Sequence, residues 1–546
     1  MSRAELASLD EMMARLERAL ASSTAEGTEL VWIEARRTQV TAGRGRRDAA
    51  RAAGPGGRGP CERNLLVRVR QSGRTGLHRT GGIEPSELEN AVRDAMAQAR
   101  LAPVTATEPL AGAAERRGEA AAGSGAREAA ATSGGRETAA ASGAREAAVA
   151  DPAAGRDGPG GAGVPGRGDG IYDPELAELE PARARTLLDG AAERGELLRL
   201  AWVEGRVAVA NSAGLRQSAQ VTAASFEASC GRGPGAGRAA GAARRLDALY
   251  LQDTLDRARS RHAGDAPAPG DTAAGAGSGA PEDRRPGDAG PGPGSQPPAA
   301  PPEPSVADAV PAAGEAVLGQ GLAGLPLLLS EQSAAALIAL LNRHALSAAA
   351  HRDAGSCLQI HGRLGEPLLA SCLSLRDDGN DPRALPFPFD LDGWPKRRVD
   401  LIVDGIFTTP AVDARLAAVI GRQPTPHAMA PDEAIAANLL LLPGDREPLP
   451  EAELLRHADG GIWIGALEGL ECFDSGRLRF RAQARGVRRV TGGALGPPLP
   501  DFVWEDDLRA ALSRAMALGD RPVTIATGDM LFGATAAPLL ALRAAE

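Results

Sequence analysis

Two tracts of low complexity divide this 546-residue chain and limit how much of it can bury a core. Residues 103–170 contain three copies of a nine-residue unit, which begin at Ser124, Ser133 and Ser142. Residues 263–313 are rich in Pro, Gly and Ala. Both tracts have few large apolar side chains and cannot build a packed interior, so their composition predicts two disordered insertions.

The rest of the sequence predicts an α+β protein with an N-terminal mixed α/β domain and a β-rich C-terminal domain. The N-terminal domain comprises residues 1–102 and a central region, residues 171–262. Residues 314–546 form the C-terminal domain. Apolar residues recur at helical spacing near the start of the chain, and alternating apolar runs between Gly-containing turns predict the strands.

Local patterns predict individual elements. Helical spacing predicts helices over 181–200 and 330–342 and one near 506–517. The stretch from Leu385 to Thr409 combines a Pro/Asp/Gly-rich connector, a basic cluster and an alternating β-branched run that ends at Asp404-Gly405. It predicts a loop that leads into a β-hairpin.

Charge and cysteine usage exclude several classes of protein. The net charge of -9 argues against a dedicated nucleic-acid-binding protein. Five widely spaced cysteines are typical of free thiols in a reducing compartment. The longest apolar stretch, residues 318–329, is too short to cross a bilayer, which needs about 20 residues. We therefore expect a cytoplasmic protein with no membrane partner.

Three phrases of the sequence resemble the TldD/PmbA family, also called modulators of DNA gyrase. They are FPFDLDGWPKRR followed by VDLIVDGIFTT, the strand–turn–helix pattern over residues 64–100, and the turn Asn211-Ser212-Ala213-Gly214 between two strands. The resemblance extends over about residues 1–100, 171–260 and 318–546. It implies a metallopeptidase-related scaffold.

Active members of that family carry a His-Glu-x-x-x-His helix and a cysteine near the C-terminus. Two imidazoles about one helical turn apart can bind one zinc ion, and the adjacent carboxylate can deprotonate zinc-bound water. In the same register this sequence has SEQSAAAL from Ser330 to Leu337, and the cysteine position falls near Ile525–Asp529. Neither segment contains histidine or cysteine. We therefore predict no catalytic, cofactor-binding or metal-binding residue and no cofactor.

The resemblance is strongest to the PmbA/TldE branch, which lacks the zinc motif. It implies a pseudoenzyme subunit that forms a heterodimer with a zinc-bearing TldD-like subunit and completes a channel for an extended peptide. Two alternatives stay open. The chain could be a metallopeptidase with displaced ligands, for which His344, His351 and His361 are the candidates. It could also be a stand-alone module that binds a peptide or a protein.

The remaining polar residues of interest are interpreted as structural. Glu331 is expected to be a carboxylate favoured by the dipole at a helix N-terminus. The acidic pairs Asp377-Asp378 and Asp390-x-Asp392 are expected to cap backbone N–H groups in turns rather than to bind Ca²⁺. Arg397 and Arg398 are expected to be salt-bridge partners of these aspartates. Four histidines are expected to be isolated and structural or exposed: His78, His262, His427 and His457.

Overall fold

The computed structural model describes most of the two predicted domains. The described residues are 6–43, 59–104, 170–262 except 194, 232 and 234, 317–318, 322–348, 364–430 and 433–545. The three sequence repeats and nearly all of both predicted insertions lie outside these residues, so the expectation of disorder there stays a prediction.

The N-terminal domain is built on one antiparallel sheet of six strands in the order β3-β2-β1-β4-β5-β6. Long alternating runs form the two central strands, which pair along most of their length. The strands are β1 (Gly27–Gly43), β2 (Cys61–Gln71), β3 (Arg74–Thr80), β4 (Glu196–Asn211), β5 (Arg216–Cys230) and β6 (Gly237–Ala243).

Helices cover one face of this sheet. They are α1 (Leu9–Ser22), α2 (Pro85–Leu101), α3 (Pro174–Ala177), α4 (Pro181–Ala191) and α5 (Leu251–Ser260). Because side chains alternate along a strand, Trp32 contacts the helices whereas its neighbour Val31 points to the other face. That second face packs against Phe387, Phe389 and Phe532 of the C-terminal domain. The sheet is therefore buried on both sides.

The C-terminal domain contains three larger sheets and a two-stranded pair. Their orders are β11-β10-β9-β14-β23-β22, β19-β18-β15-β8-β24-β21, β16-β17-β20-β7 and β12-β13. The strands are β7 (Val317–Leu318), β8 (Pro326–Leu329), β9 (Leu373–Asp378), β10 (Arg398–Val403), β11 (Ile406–Phe407), β12 (Ala428–Ala430), β13 (Glu433–Ala434), β14 (Leu439–Pro443), β15 (Ile462–Ile464), β16 (Ala466–Asp474), β17 (Arg479–Arg485), β18 (Arg488–Thr491), β19 (Ala494–Pro498), β20 (Phe502–Asp507), β21 (Ala515–Leu518), β22 (Val523–Ile525), β23 (Thr535–Ala537) and β24 (Leu540–Arg543).

One helix, α6 (Glu331–Leu341), lies in the core of this domain between the three larger sheets. Ser330 caps it by accepting a hydrogen bond from the Ser333 N–H at 3.1 Å. Leu337, Ile338 and Leu341 are fully buried against the sheets. Among the described residues of this domain there are three shorter helices: α7 (Ala414–Ile420), α8 (Glu451–His457) and α9 (Leu508–Ser513).

The predicted α+β class is confirmed, and so are the central helix and the hairpin turn at Asp404-Gly405, where both residues have positive φ. In the part of the chain that the structure describes, no helix is long and apolar enough to cross a membrane.

Two element boundaries were predicted wrongly. The helix expected over 181–200 ends at Ala191, because Gly195 adopts a left-handed conformation and the next residues join β4 opposite β1. The helix expected near 506–517 covers only α9. The residues after it form β21, because they pair with β24. In both places pairing with a distant strand overrides local helical spacing.

Candidate functional site

A cleft of about 570 Å³ opens along one face of α6. Gln332, Ala336 and Leu340 lie four residues apart on the helix, so their side chains share the face that lines the cleft. The cleft is also lined by residues 525–529, which begin at the last residue of β22, and by Thr535 at the start of β23. This volume lies within the range of about 300–1,000 Å³ that is typical of ligand sites.

The walls of the cleft expose apolar and polar surface in nearly equal measure. The apolar side chains are Leu340, Met429, Ile435, Leu439, Leu467, Leu470, Ile525 and Phe532. A few polar groups stand among them: Gln332, Asn342, Arg343, Glu433, Thr527, Asp529 and Thr535. Apolar side chains that stand beside polar groups able to fix an orientation can bind an organic ligand or a peptide.

The charged groups of the cleft lie at its edge and are paired with each other or with the N-terminal domain. Arg343 and Glu433 approach to 4.0 Å, and both side chains are largely exposed. Asp529 accepts a hydrogen bond of 2.7 Å from Arg37 of β1. The N-terminal domain therefore helps to fix one wall of the cleft.

The two segments that the resemblance aligns with zinc ligands meet across this cleft. A zinc site needs nitrogen, sulfur or carboxylate ligands in a tetrahedral arrangement. The described residues that line the cleft include neither histidine nor cysteine. Nowhere in the described ranges do three or more His, Cys, Asp or Glu side chains come together so that they could hold a metal. The residues present in the cleft do not fit a zinc ion.

His344 follows α6 in a single π-helical turn, Asn342–Leu346. Its ring is partly buried, and this burial, together with the neighbouring Arg343, lowers its pKa. His351 and His361, the other candidate displaced ligands, lie outside the described residues. The displaced metal site therefore stays a prediction.

Glu331 is the first residue of α6, as expected. Its carboxylate is buried and paired with an arginine, so the helix dipole is not its only stabilising interaction. It is 6% exposed, and its two oxygens accept hydrogen bonds of 2.9 Å from the two terminal nitrogens of Arg261, which follows α5. Burial disfavours the ionised form, but Arg261 and then Arg257 hold the pKa of Glu331 below its ordinary value. Both carboxylate oxygens of Glu331 are therefore engaged in this ion pair.

Asp390 builds a turn in the connector, as expected, whereas Asp377 lies in β9 and binds backbone N–H groups of a distant segment. Asp390 Oδ1 accepts hydrogen bonds from the backbone N–H groups of Asp392 and Trp394. Asp377 Oδ1 accepts from those of Ala437 and Asn438, both at 2.8 Å. Hydrogen bonds from backbone N–H groups to a carboxylate stabilise loops whose backbone does not pair with another strand.

The salt-bridge partners predicted for these aspartates were wrong. Lys396 lies 3.7 Å from Asp377, and Arg68 of β2 lies 3.0 Å from Asp392. Arg397 instead donates to the carbonyl oxygen of Pro424, and Arg398 pairs with Asp400 on its own strand. Arg397 is turned away from the side that Lys396 faces, because successive residues of an extended chain face opposite sides, and Arg398 is engaged by Asp400 two residues along its own strand.

His427, expected to be isolated, takes part in a buried polar network. Its ring is fully buried, with Nε2 3.2 Å from Asp377 Oδ2 and Nδ1 2.6 Å from Thr425 Oγ1. Burial lowers the pKa of His427 although Asp377 opposes this shift. A neutral ring can donate to Asp377 and accept from Thr425. None of these three side chains lines the cleft, so the network holds the connector in place.

Residues 323–545 match the family model of the PmbA/TldA metallopeptidase C-terminal domain. No curated protein matches the sequence.

Three solved structures share the fold over nearly the whole chain. A proposed modulator of a DNA gyrase from Thermotoga maritima is 16% identical, with a TM-score of 0.63 and coverage of 97% of this chain and 98% of that one. TldE from Thermococcus kodakarensis is 13% identical, with a TM-score of 0.60 and coverage of 99% and 100%. A proposed modulator of DNA gyrase from Bacteroides thetaiotaomicron is 14% identical, with a TM-score of 0.59 and coverage of 98% and 97%. At these identities the likeness establishes the fold.

Proposed function

We propose that this chain is a non-catalytic subunit of a TldD-type metallopeptidase complex, because residues 323–545 match the family model of the PmbA/TldA metallopeptidase C-terminal domain. In this proposal it forms a heterodimer with a zinc-bearing, TldD-like subunit that carries out the chemistry. The complex acts in proteolysis or peptide maturation.

One observation carries this proposal. By resemblance, active relatives hold their zinc ligands on the helix that corresponds to α6 and on the segment that corresponds to residues 525–529. Both line one cleft in this structure, but the side chains there are Gln332, Ala336 and those of residues 525–529. The cleft has both apolar and polar lining side chains, and its described residues include neither histidine nor cysteine. A cleft that has no histidine or cysteine to bind zinc favours a role in peptide binding over a role in catalysis.

The surroundings of the cleft suit an extended peptide. In the sheet as described, β16 is an outer strand, and Leu467 and Leu470 on this strand contribute to the cleft. An outer strand offers unpaired backbone groups to which an extended peptide can hydrogen-bond regardless of its side chains. The apolar side chains of the lining would then accept alternate side chains of the peptide.

The test compares the chain alone with a mixture of the chain and a TldD-like subunit that carries His-Glu-x-x-x-His. We expect no stoichiometric zinc on the chain alone by mass spectrometry, and peptidase activity only in the mixture. A mixture in which the glutamate of the partner motif is changed to Gln is the matched control and should be inactive. One zinc per chain alone, with activity, would overturn the proposal.

We also propose that this complex is located in the cytoplasm. Cys61, Cys230, Cys372 and Cys472 are free thiols in the structure, and two of them are buried. Free thiols at such spacing are typical of a reducing compartment. Fractionation of the native host, with the chain detected by antibody, tests the location, and recovery in an extracellular or periplasmic fraction would contradict it.

A further inference from the structure

The outer strand β16 carries an exposed aromatic side chain. Seven of the eight phenylalanines of the chain are buried, whereas Phe473 is 46% exposed. Its neighbour Cys472 pairs across the sheet with the fully buried Phe480 of β17. Because successive residues of a strand face opposite sides, Phe473 lies on the solvent face of the sheet. Its ring is therefore accessible to a partner.

Two arginines of β17 hold this ring in place. The guanidinium carbons of Arg479 and Arg481 lie 5.1 Å and 6.0 Å from the centre of the Phe473 ring. A guanidinium is attracted to the face of an aromatic ring at such distances. Arg481 is itself held by Glu471 at 2.7 Å. The ring is thus oriented before a partner binds, and an oriented side chain loses little entropy on binding.

The hairpin formed by β16 and β17 also carries positive charge without an acidic partner. Arg479, and Arg477 in the turn, form no ion pair within 4.0 Å with any carboxylate that the structure describes. Aromatic residues and arginine are enriched at the centre of protein–protein interfaces. Glu471 and Asp474 on the same strand as the ring repel phosphate groups, so the charges favour a protein partner over a nucleic acid.

We propose that Phe473, Arg477 and Arg479, the hairpin patch, form the docking surface for the zinc-bearing, TldD-like subunit. This inference rests on the proposed function and adds the surface that the partner contacts. Position favours this occupant, because Leu470 lines the cleft and lies three residues from Phe473, about 10 Å along the strand. A subunit that cleaves a peptide bound in the cleft must lie beside it, as one seated on the hairpin patch does. The unpaired arginines indicate that this partner presents carboxylates around the ring.

The experiment measures the Kd between the full chain and the TldD-like subunit by isothermal titration calorimetry. Phe473→Ser removes the ring, and we expect it to weaken binding at least about tenfold, which corresponds to about 1.4 kcal/mol. Arg479→Glu reverses one charge of the hairpin patch and should weaken binding by a similar factor. Val419→Ser is the matched control, because Val419 is an apolar residue of α7 that is 51% exposed. Its Kd should equal that of the wild type.

Hydrogen exchange of the wild-type complex gives a second readout that needs no variant. Peptides that span residues 471–481 should gain protection when the TldD-like subunit is added, because the partner covers them. Peptides that span α7 should exchange at the same rate with and without the subunit. Unchanged exchange over residues 471–481 in a formed complex would overturn the inference.

The outcomes separate this inference from the proposed function. If the wild-type chain binds the subunit and both Phe473→Ser and Arg479→Glu bind it as tightly, the inference is wrong and the proposed function stands. If the wild-type chain does not bind the subunit, the proposed function itself fails. Melting temperatures equal to that of the wild type show that the variants are folded. Should a variant not fold, hydrogen exchange of the wild-type complex decides.

Discussion

Arg261 and Glu331 form a buried ion pair with two hydrogen bonds of 2.9 Å, which joins the residue after α5 in the N-terminal domain to the first residue of α6. The guanidinium of Arg261 also lies 4.9 Å from the ring centre of Trp463. The helix that lines the cleft is thus anchored at its N-terminus by the other domain.

Breaking this pair should destabilise the protein strongly. Glu331→Gln leaves the Arg261 charge buried without its counter-charge, and we expect a loss of about 3–5 kcal/mol in the free energy of unfolding. Chemical denaturation monitored by tryptophan fluorescence measures it. Glu471→Gln, at the largely exposed pair with Arg481, is the control and should leave the midpoint unchanged. Equal midpoints for both variants would show that the buried pair does not anchor the helix.

The buried His427 should make stability depend on pH. Its folded-state pKa is lowered, so below about pH 6.5 the unfolded chain binds a proton that the folded chain does not, and stability falls with pH. The loss ends once the pH is below the lowered pKa. A single such group contributes at most about 1.4 kcal/mol per pH unit.

Thermal melts of the wild-type chain and of His427→Gln between about pH 7.5 and pH 5.5 test this expectation. The variant should be less stable at pH 7.5 and should lose less on acidification. His78→Gln, at a partly exposed histidine outside this network, is the control for the loss of an imidazole alone. The carboxylates Glu331 and Asp377 have lowered pKa values, so their stabilisation is lost only at lower pH, and they do not obscure the result.

Filling the cleft should block function without unfolding the chain. Ala336 is only partly buried and faces the cleft, so Ala336→Phe places a ring in the space proposed for the peptide. We expect at least a tenfold loss of peptidase activity in the mixture with a TldD-like subunit, and a melting temperature close to that of the wild type. Ala182→Phe, at an exposed position of α4, is the control and should retain full activity. Full activity of Ala336→Phe would place the peptide elsewhere.

Arg244 should hold the two domains together. It is buried and donates hydrogen bonds to the carbonyl oxygens of Leu385, Met530 and Leu531, all in the C-terminal domain. Burial lowers the pKa of Arg244 to about 9. Arg244→Met keeps much of the apolar length and leaves these carbonyls without a donor, so we expect a loss of about 2–4 kcal/mol.

Hydrogen exchange followed by mass spectrometry locates this effect. Peptides that span residues 385–391 and 530–534 should exchange faster in Arg244→Met, whereas peptides from β1 and β4 should keep their protection. Uniformly faster exchange across the N-terminal sheet would instead show that Arg244 stabilises that domain as a whole.

Local signals in the sequence were sufficient for several features. The apolar spacing over α6 and the Asp404-Gly405 turn each depend on residues within one or two helical turns, and the structure has them where they were predicted. The longer helices predicted over 181–200 and near 506–517 were wrong because strand pairing with distant segments decided their ends.

The sequence by itself determined the α+β class and the absence of histidine and cysteine from the two segments that correspond to a zinc site. The tertiary structure decided which residues meet: Glu331 with Arg261, Asp377 with Lys396 and His427, and α6 with residues 525–529. Caps and turns are set by interactions between near neighbours in the chain. Ion pairs and clefts join residues that are far apart, and they exist only once burial and sheet packing have brought those residues together.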